Sequence, residues 1–267
     1  MSPNEPNHAA LMSQSDMGKF EMGDEVYVPS LALPDPDGRP FALTLGRVTG
    51  QEGRLVRVSV PNNHESDVLV STKLLHGRNL GITVFRIGDI DTEEHLLDPL
   101  AKSILHYLRL FLPHDAIRLR EVRTSAEIQA VWEDLEATTS HVVIIGHGSE
   151  TSIKLLDCEY PVDGATLGQI FENASPTTSP KMFVSLSCLT GRMPFARPFS
   201  LSKVCGDYLA PFQSVHSAAA SLFAQSYFAN HLLNGQGVRA AYGRAHQAVG
   251  RGVHFRHWRD GIHLPIP

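Results

Sequence analysis

The chain has 267 residues, 42 % of them apolar and 19 % charged, with a net charge of −5; these are the proportions of a soluble globular protein and exclude wholesale disorder and a coiled coil. No apolar run approaches the ~18 residues that a membrane span needs, and the opening MSPNEPNHAALMSQSDMGKF lacks a basic segment followed by an apolar one. Neither a membrane anchor nor a secretory signal is therefore expected, and the expected location is the cytoplasm.

Residues 1–20 carry Ser, Asn, Pro and no apolar periodicity and are expected to be a leader outside the fold. From Gly23 the runs DEVYVPS, FALTLGRVTG, RLVRVSVP and DVLVS alternate apolar and polar residues between turn sequences such as PDPDGRP and NNHES, which predicts short β-strands. Val26, Val28, Leu43, Leu45, Val48, Val56, Val58 and Val60 are expected to line one small β-barrel of the SH3-like kind over residues 21–79.

After Gly77 the period changes. GITVFRIG predicts a strand, and Asp91 with Glu94 resembles an N-cap pair opening a helix whose face is Leu96, Leu97, Leu100, Ile104, Leu108 and Phe111,. AIRLREV predicts a second strand. Thr124 and Glu127 form a T-x-x-E capping box ahead of Ile128, Val131, Trp132 and Leu135,. HVVIIG is a third strand whose unbroken apolar run fits a centre covered on both faces. A helix from about Asp163 and a fourth strand, KMFVSLS, complete a β-α-β-α-β-α-β alternation, and hence a parallel α/β sheet over residues 80–250. FQSVH reads as a further strand leading into an Ala-rich helix with Leu222, Phe223, Tyr227 and Leu233, then a helix from about Val238 to Val249; residues 251–267 read as a C-terminal tail.

In an open parallel sheet ligands bind beyond the carboxyl ends of the strands. The residues there are His147, after VVIIG, and Cys188, after MFVSLS. A thiol beside an imidazole ionises near neutral pH, because imidazolium stabilises the thiolate, whereas an isolated thiol has a pKa near ~8.5. Gly148 lets the backbone approach a substrate and aim its N–H at a developing oxyanion. A cysteine ending a buried strand is commonly a small inert hydrophobe; the pair at corresponding ends of two strands of one sheet favours nucleophilic catalysis.

VVIIGHG, then FVSLSCLTG about 40 residues later, then FAQSYFANHLLNGQGVRAAYGRAHQAV, together resemble the caspase-fold cysteine peptidases, and within them the CHAT group related to separases. The resemblance covers residues 81 to about 250. It implies a caspase-like α/β sandwich, with His147 as the dyad histidine, Cys188 as the nucleophile and Gly148 at the oxyanion site. It also implies endopeptidase activity without metal or other cofactor, on a protein substrate and under the control of a partner or sensor protein, by analogy in a bacterial defence or signalling system. Two residues before the nucleophile, where caspases carry Gln, stands Leu186, so a preference for aspartate at the cut is not expected. Asp89, Asp91, Asp157 and Asp163 are candidates for an acidic pocket taking a basic substrate side chain, with Asp91 and Asp163 read first as helix caps.

Other signals carry less. Cys158 and Cys205 end no convincing parallel strand and are expected to be bystanders. SLSCLTG lacks the flanking glycines of a G-x-S-x-G elbow. His254, His257 and His263 suggest a weak metal site at most. Arg239, Arg244, Arg251, Arg256 and Arg259 are expected to offset the acidic stretch around Glu133, Asp134 and Glu136 rather than to bind nucleic acid. Two function classes follow: a cysteine endopeptidase, and a caspase-fold scaffold without activity that works by protein binding.

Overall fold

The computed structural model describes residues 20–36, 38–61, 67–88, 93–158, 161–250 and 252–267; most of the expected leader, Asp89 and Asp91 lie outside them. The chain divides into two compact units, one of residues up to 39 with 43–78, the other of 40–42 with 79–267.

The first unit is an antiparallel sheet of β1 (Glu25–Pro29), β2 (Leu43–Glu52), β3 (Leu55–Ser59), β4 (Val68–Ser71) and β5 (His76–Gly77) in the order β4-β3-β2-β1-β5. Val26, Val28, Val48, Val56, Val58, Val60 and Val70 cluster with Phe20, Leu33 and Leu75, so Phe20 belongs to this core and not to a leader. Leu43 and Leu45 do not join them. Val26 and Val28 pair with Gly46 and Thr44, which puts Leu45 opposite Tyr27 on the other face; residues 45 and 48 differ in parity, and side chains alternate strictly along a strand.

The second unit is built on a seven-stranded sheet: β6 (Ile82–Ile87), β7 (Ile117–Val122), β8 (His141–Ile145), β11 (Lys181–Ser185), β12 (Cys205–Pro211), β13 (Phe255–Arg259) and β14 (Ile262–Leu264), in the order β14-β13-β12-β11-β8-β6-β7. A two-residue pair, β9 (Ser152–Ile153) and β10 (Val162–Asp163), stands apart. From β7 to β12 every pairing is parallel; β13 and β14 add an antiparallel edge. The fold is therefore mixed α/β with a mostly parallel sheet. The chain runs from β6 outward to β7 and then from β8 outward in the other direction, so the topological switch lies between β6 and β8.

Among the described residues six α-helices cover this sheet: α1 (Asp98–Leu108), α2 (Ser125–Leu135), α3 (Gly164–Ala174), α4 (Met193–Ser200), α5 (Ser217–Phe228) and α6 (Val238–Val249). Ile128 and Trp132 of α2, Leu167 and Phe171 of α3, and Phe195 and Phe199 of α4 pack on Phe85, Val142, Ile144, Phe183 and Tyr208. On the other side α5 packs between α1 and α6, with Phe223 stacked on Phe255 at 3.6 Å between ring centroids. All five residues of β8 are buried, as its apolar run predicts. The Thr124–Glu127 capping box forms in full.

Several elements depart from expectation, each for a physical reason. The regular helix α1 starts at Asp98, with Pro99 in its first turn, after a wide turn over Glu93–Leu97, and Leu96 is 49 % exposed. The fifth parallel strand is Cys205–Pro211 and not FQSVH; its Gly206, Asp207 and Pro211 mimic a turn. Asp207 is tolerated because His257 Nε2 (2.5 Å) and the Arg259 guanidinium (2.8 and 2.9 Å) of β13 hold its carboxylate. Helix α4 was hidden by Pro194 and Pro198; Pro194 occupies the first turn, where its missing N–H costs nothing,. Residues 251–267 are not a tail, since 255–264 carry two strands of the main sheet.

At the amino end of β11, Lys181 (2 % exposed) pairs at 2.8 Å with Glu136 (1 % exposed), which also accepts from Thr178 N–H and Oγ1. Burial pushes the Glu136 pKa up, but the hydrogen bonds from Lys181 and Thr178 prevail and hold it below the ordinary value. Lys181→Met should cost about 3–5 kcal/mol in urea unfolding, because it strands a buried carboxylate. A lowered folded-state pKa stabilises above the unfolded value, about 4.3 for Glu, and that contribution is lost as pH falls through the folded value. The Lys181→Met/Glu136→Leu chain should recover most of the loss and depend less on pH below about 4.3.

Candidate active site

β8 and β11 are neighbours, with Val143 opposite Val184 and Ile144 opposite Ser185. Their carboxyl ends open side by side, and the chain beyond them carries His147 and Cys188, both half-buried. After His147 the backbone folds into a narrow antiparallel turn in which Gly148 faces Ile153, closed by Ser149 N–H to Ser152 O (2.8 Å) and Lys154 N–H to His147 O (3.3 Å). These bonds flank the Gly148–Ile153 pair, so the ladder does not use the Gly148 N–H.

Gly148 also sits against the cysteine turn. A Cβ there would lie 2.6 Å from Cys188 O, 2.7 Å from Thr190 Cγ2 and 3.0 Å from Ser187 Cβ. Only a residue without a side chain lets the two loops touch.

The cysteine turn is fixed by buried hydroxyls. Ser185 Oγ and Thr190 Oγ1 are 2.8 Å apart, Thr190 Oγ1 donates to Ser187 O (2.8 Å), and Ser187 N–H donates to Ser185 Oγ (3.2 Å). The backbone then bends at Leu189, whose φ of 65° is one of two positive values on non-glycine residues among those described. Such a conformation costs on the order of 1 kcal/mol and persists only where its surroundings enforce it, most often at functional sites.

A third segment completes the rim. Residues 212–216 run from β12 to α5 across the sulfur: Val215 N–H points at Cys188 Sγ (3.4 Å), and Sγ lies 3.8 Å from Val215 O. Leu189 N–H donates to Gln213 O (3.3 Å), and Phe212 N–H to His254 O (2.8 Å). Arg192 joins all three pieces. Its Nη1 pairs with Glu150 of the histidine turn at 2.8 Å, its Nε donates to Phe212 O at 3.0 Å, and its guanidinium lies 4.9 Å from the Phe212 ring centroid.

The residues expected from the sequence therefore divide. His147, Gly148 and Cys188 stand on adjoining turns at the carboxyl rim. Asp157 stands at the start of α2, where its carboxylate accepts Ser125 N–H (2.9 and 3.0 Å) and Ser125 Oγ (2.5 Å). Burial works to raise its pKa, but those bonds prevail and leave it lowered. Asp163 caps α3 through Thr166 N–H (2.7 Å). Burial raises the pKa of Cys158 and that of Cys205, and a neighbouring aspartate adds to each; neither is placed as a nucleophile.

The histidines near the C-terminus occupy separate surroundings, with His254 against His246, His257 on Asp207 and His263 on Trp258. Among the described residues no group of three or more His, Cys, Asp or Glu side chains is gathered as for a metal ion, and no helix is long and apolar enough to cross a membrane. Of the late arginines, Arg259 pairs with Asp207 and Arg256 lies over Phe212, not against the acidic stretch, where Glu136 is held by Lys181; Arg251 lies outside the described residues. Glu150, Arg192 and Val215 escape a reading of the sequence, because they meet only once β8 and β11 are known to be neighbours.

No protein-family model matches the chain, and no curated protein is significantly similar to it.

The close contact at Gly148 is testable by itself. Gly148→Ala should lower stability by about 1–3 kcal/mol through overpacking, whereas Gly252→Ala, with nothing within 4 Å of its Cβ, should stay within about 0.5 kcal/mol of the parent. Thermal unfolding of both chains checks this.

Proposed function

We propose that this chain is a cysteine endopeptidase of caspase-like fold, working through His147 and Cys188. In this reading the antiparallel unit over residues 21–79 is an SH3-like module that docks a substrate or an activating protein. The observation that carries the proposal is the packing of the Gly148 backbone against the Cys188 turn, at the ends of two adjacent parallel strands.

His147 takes the proton of the Cys188 thiol, and the thiolate attacks the scissile carbonyl, with the Gly148 N–H directed at the oxyanion. The imidazolium returns that proton to the leaving amine as the C–N bond breaks. Water, deprotonated by the same imidazole, then hydrolyses the thioester, and the thiol is restored. None of these steps calls on a metal.

The scaffold reading has one observation in its favour: Cys188 Sγ is engaged by the backbone of Val215. A peptidase with its sulfur so held is latent until residues 212–216 shift, in keeping with control by a partner.

Incubation of the wild type, Cys188→Ala and His147→Ala chains with a proteome, followed by sequencing of new N-termini, tests the function. The wild type should generate termini at defined sites, and both variants should lose them by about 100-fold or more. Cleavage that persists in a folded Cys188→Ala chain would exclude the assignment.

A further inference from the structure

Beside the sulfur, Phe212, the first residue of the 212–216 segment, forms a basic and aromatic cluster with Arg192 and Arg256. Phe212 follows β12 directly, and two guanidinium groups lie over its ring, Arg256 at 3.7 Å and Arg192 at 4.9 Å from the centroid. The register brings them there: Arg256 stands opposite Ala210, on the face where the next inward residue, Trp258, donates to Gly191 O at 3.0 Å. Arg192 has a carboxylate partner in Glu150. Arg256 has none among the described residues. Burial, and then the Arg192 charge, hold its pKa below the ordinary value.

A half-buried guanidinium that spends its flat face on a phenyl ring keeps its N–H edge for a planar anion, and a carboxylate is the group whose geometry matches that edge. Bringing one in would also relieve the repulsion between the two cations. The chain as a whole carries a net charge of −5, so it has no general attraction for polyanions such as nucleic acid; the attraction is local.

We infer that Arg256, with Phe212 and Arg192, forms a docking site for a carboxylate-bearing segment of polypeptide, beside and not at the reacting atoms. The inference rests on the peptidase reading for its meaning, since Phe212 and Val215 belong to one short segment and a ligand held at one end acts on the sulfur at the other. The segment belongs to an activating protein, because the strap that begins at Phe212 also holds the Cys188 sulfur through Val215; a substrate segment is the alternative outcome of the test.

The test uses the full chain and a fluorescent peptide of alternating Asp, Glu and Gly, with its Asn/Gln counterpart as the neutral control, read by anisotropy. The acidic peptide should bind about tenfold tighter or more than the neutral one. Arg256→Glu should abolish that difference and prefer a Lys peptide instead, whereas Arg244→Glu, an exposed position on α6, should retain it. If Arg256→Glu does not fold, Arg256→Gln replaces it and should lose the difference without the reversal. Equal binding of the two peptides, equal losses in the Arg256 and Arg244 variants, or Arg256-dependent binding of an oligonucleotide in place of the peptide would overturn the inference.

The same samples distinguish the sources. An acidic peptide cut in a Cys188-dependent way identifies the ligand as substrate; one left uncut that speeds alkylation of Cys188 by iodoacetamide identifies it as activator. Arg256-dependent binding with no cleavage of any protein would retain the docking site while the peptidase reading fell. Cleavage of proteins without any Arg256-dependent preference would do the reverse.

Discussion

Two turns can meet over the rim of this sheet only because one position between them has no side chain. Gly148 lies so close to Cys188 O and Thr190 that a methyl group would collide with backbone as well as side chain, and backbone in a dense interior does not yield cheaply. Upstream of the contact stands the parallel register of β8 with β11, which brings the two chain ends level. Downstream stand the Ser185 and Thr190 hydroxyls, bonded to each other and to the Ser187 backbone, and the left-handed bend at Leu189, which settle how the cysteine turn leaves its strand. Imidazole, sulfur and an unspent backbone N–H come to one rim as a consequence of that packing.

Much of this arrangement is legible from residue pattern alone. VVII announces a central strand, Thr124–Glu127 a helix start, and the change of period after Gly77 the passage from an antiparallel unit to a parallel one. What escapes is whatever depends on tertiary partners. Asp207 inside a strand is affordable only with His257 and Arg259 on the next one, so propensity places the fifth strand too late. The closing hairpin of β13 and β14 looks like a tail because it pairs with distant residues. Arg192 and Glu150, 42 residues apart in the chain, give no local signal of their ion pair. At the candidate site His147, Gly148 and Cys188 are visible in the sequence, while the groups that hold them are not.

The third segment changes how the site is understood. Residues 212–216 are anchored at Arg192, His254 and Leu189 and touch the sulfur through Val215. A single short strap therefore connects Phe212 and its two arginines, the Cys188 sulfur and the start of α5. In the proposed function, a shift of these few residues opens access to the thiol while the core beneath stays in place, the usual division between a rigid sheet and the loops at its edge. In the proposed function, regulation and recognition thus share one piece of backbone.

A crystal structure of the wild type with a peptide aldehyde bound tests the central claim most directly. The account predicts a thiohemiacetal on Cys188 whose oxygen accepts a hydrogen bond from Gly148 N–H, with the His147 ring beside the sulfur and Val215 moved off it. An adduct formed on Cys158 instead, or one on Cys188 with the imidazole turned away and Gly148 out of reach, would contradict it.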